Sequence, residues 1–341
     1  MRRATSRAKL PPSFMTPSLS ERSSPSDTTL PAGIYTALVT PMRGANASVV
    51  DMAAFEGLCR WQCARGVRGL VVAGTTGEAA ALADEEYGAL VRAAVDAVAA
   101  TGNGVVMAGV GGASTAHAVG LAKRAKAEGA RVLLAITPYY VRPGTEGLLR
   151  HYAEIYAASA LPLVVYNAPR RTGCDLDVET LLALSARVPV AAVKESSASV
   201  ARIQDIRQAC GDALRIFSGD DALCLPALAA GADGIVSVTS NVAPGRMCEV
   251  VRAFERGDVR TAQAQHRALL PLHAALFAEP SPAPAKWLLS ELVRETAGNW
   301  PFPPEPRLPM VVPSTALQQR LRTLASELNL AAEFGDGAAS R

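Results

Sequence analysis

From residue 31 onward, short apolar runs alternate with longer stretches in which apolar residues recur every three or four positions. The short runs are Ile34–Thr40, Gly69–Ala73, Val105–Gly109, Val132–Thr137, Leu163–Tyr166, Val190–Lys194, Leu214–Ser218 and Gly234–Val238. They do not alternate with charge, which is the pattern of parallel strands buried on both faces. The longer stretches, 53–66, 84–100, 115–128, 145–159, 177–186, 199–210, 221–230 and 245–256, read as helices. Asp51, Ser114, Asp177 and Ser199 stand where side chains cap helix starts, and Gly66, Gly129, Gly211 and Gly231 stand where helices stop. Eight βα units in about 220 residues predict an α/β fold, a (β/α)8 TIM barrel. The competing reading is an open doubly wound sheet, but its G-x-G-x-x-G fingerprint is missing from the first βα turn.

Residues 1–30 break this texture. They are rich in Ser, Thr, Pro and Arg and have no apolar period, so they read as a disordered or misannotated extension, with Met15 as another possible start. A transit peptide of similar composition is the competing reading. The remaining boundaries are a catalytic barrel over 31–240, a C-terminal helical region over 241–330, and a flexible tail over 331–341. Two proline clusters punctuate the helical region, Pro280, Pro282 and Pro284, then Pro301, Pro303, Pro304 and Pro306.

Composition narrows the function. Of 341 residues, 49 % are hydrophobic and 19 % charged, enough apolar material for a large core. A net charge of +3 argues against a dedicated nucleic-acid binder. No apolar run reaches membrane-spanning length. The six cysteines form no C-x-x-C pair and read as small buried hydrophobes in a reducing cytoplasm. His117, His151, His266 and His273 are isolated, so no metal site is expected. A P-loop is missing as well. Lysine is scarce: Lys9, Lys123, Lys126, Lys194 and Lys286 are five of 34 basic residues. Coding bias accounts for the scarcity, yet a lysine left in an apolar setting marks a place where arginine is unsuitable.

In a barrel, chemistry sits where strands end. The second run ends in Gly74-Thr75-Thr76-Gly77-Glu78, two hydroxyls in a glycine turn that can meet a carboxylate or simply cap a helix. The fourth ends in Thr137-Pro138-Tyr139-Tyr140, and the fifth in Tyr166-Asn167-Ala168-Pro169-Arg170-Arg171-Thr172-Gly173. These offer phenols for packing or proton transfer and a guanidinium suited to carboxylates. The sixth ends in Lys194-Glu195-Ser196 after an apolar run. A lysine kept from water favours its neutral amine, which attacks carbonyl carbons to give an imine; the alternative is a lysine paired with Glu195. Ser218-Gly219-Asp220-Asp221 and the run through Val236 close the ring. One amine nucleophile, phenols, hydroxyls and an arginine fit a metal-independent lyase or aldolase acting on a 2-oxo acid.

These strand ends, together with Glu279-Pro280-x-Pro282-x-Pro284-x-Lys286-Trp287, resemble the dihydrodipicolinate synthase family over residues 32–330. The resemblance implies a homotetramer, a dimer of dimers, that condenses pyruvate with L-aspartate 4-semialdehyde toward diaminopimelate and lysine, with no cofactor beyond the imine of pyruvate on Lys194. By that pattern Lys194 forms the imine and Tyr166 assists proton transfer. Thr75 and Tyr140 complete a relay, with the tyrosine supplied across a subunit interface. Thr76 and the backbone at Val236 hold the pyruvate carboxylate, Arg171 meets the semialdehyde, and Gly219 lines the pocket. Sister lyases for sialic acid, 2-keto-3-deoxy sugar acids or hydroxy-oxoglutarate share the lysine, the tyrosine and the threonine loop. A catalytically dead binding protein is the reading from another class. Two departures stand out. Ser196-Ser197 replaces the more usual Ala-Thr. The lysine-inhibitor positions carry Tyr87 or Asp84, Ala113 and His117 in place of His, Asn and Glu, which implies weak or absent lysine feedback.

Overall fold

The computed structural model describes residues 30–102, 104–296 and 301–334. Of the extension expected over residues 1–30, residues 1–29 lie outside the described residues, as do the tail residues 335–341, and Leu30 is buried.

The chain begins with strand β1 (Gly33–Ala37), then a small hairpin, β2 (Met42–Arg43) with β3 (Val49–Val50), that the apolar pattern did not signal. Helices and the seven other barrel strands follow in alternation. They are α1 (Met52–Ala64), β4 (Gly69–Val72), α2 (Asp84–Thr101), β5 (Val105–Val110), α3 (Thr115–Ala127), β6 (Val132–Ile136) and α4 (Thr145–Ser159). Next come β7 (Leu163–Asn167), a one-turn helix α5 (Pro169–Thr172), α6 (Val178–Arg187), β8 (Val190–Glu195), α7 (Val200–Cys210), β9 (Arg215–Ser218), α8 (Cys224–Ala229), β10 (Gly234–Ser237) and α9 (Pro244–Glu255). The helices α10 (Val259–Leu276), α11 (Ala283–Glu295) and α12 (Thr315–Glu327) complete the described chain.

Eight of these strands form a closed parallel barrel in the order β1-β10-β9-β8-β7-β6-β5-β4. Closure rests on β1, which pairs with β10 (Gly33↔Gly234) and with β4 (Tyr35↔Gly69), so the open-sheet reading is excluded. Because every strand is parallel, all their C-terminal ends lie on one rim. The capping expectations hold at Asp51, Asp177 and Ser199, whose side chains accept from Ala54 N, Thr180 N and Arg202 N. Ser114 is a correction: it occupies the N-cap position of α3 without a side-chain bond to the helix.

The inside of the barrel is plugged by large side chains. Tyr35 and Phe217 meet edge to face with centroids 4.9 Å apart, and the Tyr35 hydroxyl donates to Pro31 O at 2.9 Å. Gly69 makes this possible, since a Cβ there would lie 2.6 Å from Tyr35 Cδ1. Burying one such ring contributes about 1.5–3 kcal/mol. Outside, the aliphatic faces of strands and helices share a second, larger core that continues into α10, α11 and α12.

Two boundaries shift. The eighth barrel helix is α9, so the barrel unit runs to Glu255 rather than residue 240. Residues 331–334 are not a flexible tail. They belong to a docked turn in which the Glu333 carboxylate accepts from Gly245 N and Arg246 N, both at 3.0 Å, capping α9. Trp61 Nε1 donates to Glu333 O at 3.1 Å, and Phe334 stacks on Trp61 at 4.4 Å. Among the described residues no helix is long and apolar enough to cross a membrane.

Candidate active site

Lys194 and Tyr166 are direct neighbours across the β7–β8 ladder, paired in register one residue below the ends of their strands. Side chains alternate along a strand, so residues 194 and 196 share one face and Glu195 takes the other. The apolar residues before Lys194 bury its stem, leaving it 7 % exposed. Its Nζ lies 3.9 Å from the centroid of the Tyr166 ring. Glu195 is no partner for it. That carboxylate accepts from Asn167 Nδ2 at 3.0 Å and Ser197 N at 2.6 Å. The sequence alternative of a Lys194–Glu195 pair is therefore excluded. Among the described residues Lys194 makes no ion pair, and the Tyr166 ring is the aromatic face beside its nitrogen.

The network on the other face holds the strand ends. Asn167 also donates to Asp175 Oδ1 at 2.8 Å and accepts from Leu176 N at 3.0 Å, fastening the loop after β7. Thr172 ties that loop to the one after β6. Its hydroxyl donates to backbone carbonyls and accepts from Thr137 Oγ1 at 3.2 Å. Arg171 sits exposed on α5, which follows the end of β7 on the same rim.

Gly219, at the end of β9, is needed for space. A Cβ there would stand 1.8 Å from Ser196 Oγ and 2.8 Å from Lys194 Cε. The Ser196 hydroxyl is itself buried without a partner. Beside it, burial pushes the Asp220 carboxyl above the usual range, against the opposing pull of the Ala198 N–H, Lys194 and Arg170. Val236 lies in the barrel interior on β10, in the same inner core as Tyr166. Thr75 and Thr76 follow β4 on this rim, in a turn closed by Gly77 N and Ala79 N donating to Gly74 O.

Tyr140 is the one predicted residue that stands apart. It is 91 % exposed, in left-handed backbone (φ 72), on a loop tied by its N–H to Thr172 O. Within one chain, then, Lys194, Tyr166, Gly219 and the Val236 strand converge, Thr75, Thr76 and Arg171 share their rim, and Tyr140 points outward. Glu78 and Lys286 escaped the sequence reading of the site, although both lie in the motifs quoted for it. Their nitrogen and oxygen are 2.7 Å apart in the interior.

A family model for the dihydrodipicolinate synthetase family matches residues 30–328. The chain belongs to that family. Among dihydrodipicolinate synthetase family relatives, the 4-hydroxy-tetrahydrodipicolinate synthase of Nitratidesulfovibrio vulgaris (Miyazaki F) is 41 % identical over 295 residues, 86 % of this chain and 97 % of that protein. The enzyme of the same name from Sorangium cellulosum is 42 % identical over 291 residues, 85 % of this chain and 93 % of its own length. A family structure from Acinetobacter baumannii, a chloride-inhibited dihydrodipicolinate synthase complexed with pyruvate, superposes with a TM-score of 0.82 at 33 % identity. It covers 89 % of this chain and is itself covered in full, 100 %. The Aquifex aeolicus family member gives 0.81 at 34 % identity, covering 88 % of this chain and 99 % of that one.

Proposed function

We propose that this protein is a 4-hydroxy-tetrahydrodipicolinate synthase, a lyase that condenses pyruvate with L-aspartate 4-semialdehyde through an imine on Lys194. The observation that carries this reading is the Lys194 amine held 3.9 Å over the Tyr166 ring, with no ion pair among the described residues, at the C-terminal rim of a barrel. The names of the relatives support the substrate pair.

Lys194 attacks C2 of pyruvate, and the carbinolamine loses water to leave the imine. Removal of a C3 proton gives an enamine whose C3 adds to the aldehyde carbon, and the aldehyde oxygen becomes the 4-hydroxyl. The amino group of the semialdehyde then takes C2 from Lys194, closing the ring and freeing the amine. Tyr166 moves protons at the imine, in a relay with Thr75 and a Tyr140 from a neighbouring chain. Thr76 and the backbone at Val236 hold the pyruvate carboxylate, Gly219 leaves room for the adduct, and Arg171 binds the semialdehyde carboxylate. The lysine supplies the covalent chemistry, so the reading calls for no added cofactor.

The exposed Tyr140 supports a contact with a neighbouring chain, within the proposed homotetramer built as a dimer of dimers, and six free thiols support a reducing cytoplasm. Borohydride reduction in the presence of pyruvate tests the reading directly. Intact protein should gain the mass of one reduced pyruvate on Lys194, and Lys194→Arg should gain none. Turnover should follow with aspartate semialdehyde and fail with sialic acid and 2-keto-3-deoxy sugar acids. An unmodified Lys194 would overturn the proposal.

A further inference from the structure

Lys286, on α11, is wholly buried at 0 % exposure and belongs to no strand end. Its ammonium donates to Glu78 Oε1 at 2.7 Å, and Arg307 N donates to Glu78 Oε2 at 2.8 Å. The Arg307 side chain continues outward, with two bonds to Glu86 and others to Ala47 O, Ala81 O and Ser48 O. Both oxygens of one buried carboxylate are thus held by the C-terminal region.

An apolar pair of equal volume would stabilise a protein core as well or better than such an ion pair. Burial pulls the Lys286 ammonium toward its neutral form, and Glu78 opposes that pull. Stability alone therefore does not explain the pair, whereas its position does. Glu78 immediately follows Gly74-Thr75-Thr76-Gly77, and its backbone is left-handed (φ 58). On the other side of the turn Ala73 is left-handed too (φ 51). Two non-glycine residues in this region bracket the threonine hydroxyls, and such backbone persists only where its surroundings impose it. On the barrel side one bond, Thr40 Oγ1 to Gly77 O at 2.8 Å, holds the turn. Behind it stand Lys286 and Arg307.

We propose that Glu78 and Lys286 are positioning residues that set Thr75 and Thr76 against the pyruvate adduct, which makes the C-terminal helices part of the catalytic apparatus. The proposal rests on the pyruvate-lyase reading of the site. Neither residue touches the substrate; they act through the turn.

Two variants test it. The double variant Glu78→Gln with Lys286→Met removes both charges at similar volume and leaves no buried charge unpaired. Glu78→Asp keeps both charges and shortens the reach by one methylene, so it carries the test should the double variant fail to fold. The readouts are the pyruvate concentration giving half-maximal borohydride adduct on Lys194, and the KM for aspartate semialdehyde. In folded variants full adduct should still form at saturating pyruvate. Its midpoint should rise about tenfold or more and kcat should fall, while the semialdehyde KM stays within about twofold. A pair that only stabilises the fold would lower the active fraction and leave both half-saturation values unchanged. That result in either folded variant overturns the proposal. Wild-type protein that forms no adduct would instead overturn the lyase reading.

Discussion

Lys194 and Lys286 are both buried lysines, and what distinguishes them is their partner. Lys286 faces a carboxylate at 2.7 Å, whereas Lys194 faces an aromatic ring and makes no ion pair among the described residues. Lysine scarcity directed attention to Lys194 because it ends an apolar strand-like run. Lys286 gave no such signal: it follows a proline cluster, and its partner lies 208 residues away in sequence. The Tyr166 ring and its hydroxyl can be separated experimentally. Tyr166→Phe should keep the ring beside Lys194 and still yield adduct at equilibrium, while kcat falls by about 10²–10⁴-fold. A kcat near wild type would remove the phenol from proton transfer. At the lysine-inhibitor positions, Tyr87 is buried with an unpartnered hydroxyl, and Ala113 offers an exposed methyl. Neither supplies a carboxylate or amide oxygen to accept from an amino group. Sub-millimolar lysine should therefore leave turnover unchanged in a dose–response assay.

The strands and helices were legible because each strand is apolar on both faces and each helix carries an amphipathic stripe. Most observed limits, such as Val190–Glu195 against an expected Val190–Lys194, lie close to those expected, but β1 ends at Ala37 rather than Thr40 and α8 starts at Cys224 rather than residue 221. What stayed hidden depends on contacts rather than on pattern. The hairpin β2–β3 is too short for a period. The one-turn helix α5 begins at Pro169 inside a stretch read only for its arginines. Helix α4 carries a separate consequence. Burial pushes His151 down from 6.5 to about 4, and its Nδ1 bonds Thr115 Oγ1 on α3. A histidine depressed in the folded state leaves stability intact above pH 6.5 and withdraws it as pH falls toward 4, because the unfolded chain takes the proton first. His266 and His273 on α10 are displaced in the same direction by burial. Denaturant midpoints should therefore drop between pH 7 and pH 5, with His151 alone accounting for about 2 kcal/mol. His151→Gln should flatten that part of the slope.

At the scale of the molecule, the barrel brings one rim together and leaves Tyr140 outside it. If that phenol serves a neighbouring chain, defects in different chains should complement. Lys194→Arg and Tyr140→Phe proteins, each inactive, are unfolded together and refolded as a mixture. Mixed dimers then contain one site with Lys194 from one chain and Tyr140 from the other, restoring about a quarter of wild-type sites. No recovery above the separate proteins would show that Tyr140 does not serve a neighbouring chain. Its place after a strand end marks Tyr140 as a phenol for packing or proton transfer, and only family resemblance puts it across a subunit interface; no period or spacing in one chain reveals what a second chain contributes.

The hold on Glu78 also has a place in time. Translation proceeds at about 5–20 residues per second, so Lys286 leaves the ribosome roughly 10–40 s after the turn it is to fix. The eight strands have all emerged before then, and the barrel can close around Lys194 while the threonine turn still lacks its anchor. On the proposed roles, nascent chains and products of premature termination would carry Lys194 without an anchored threonine turn, and full activity would arrive only as synthesis nears completion.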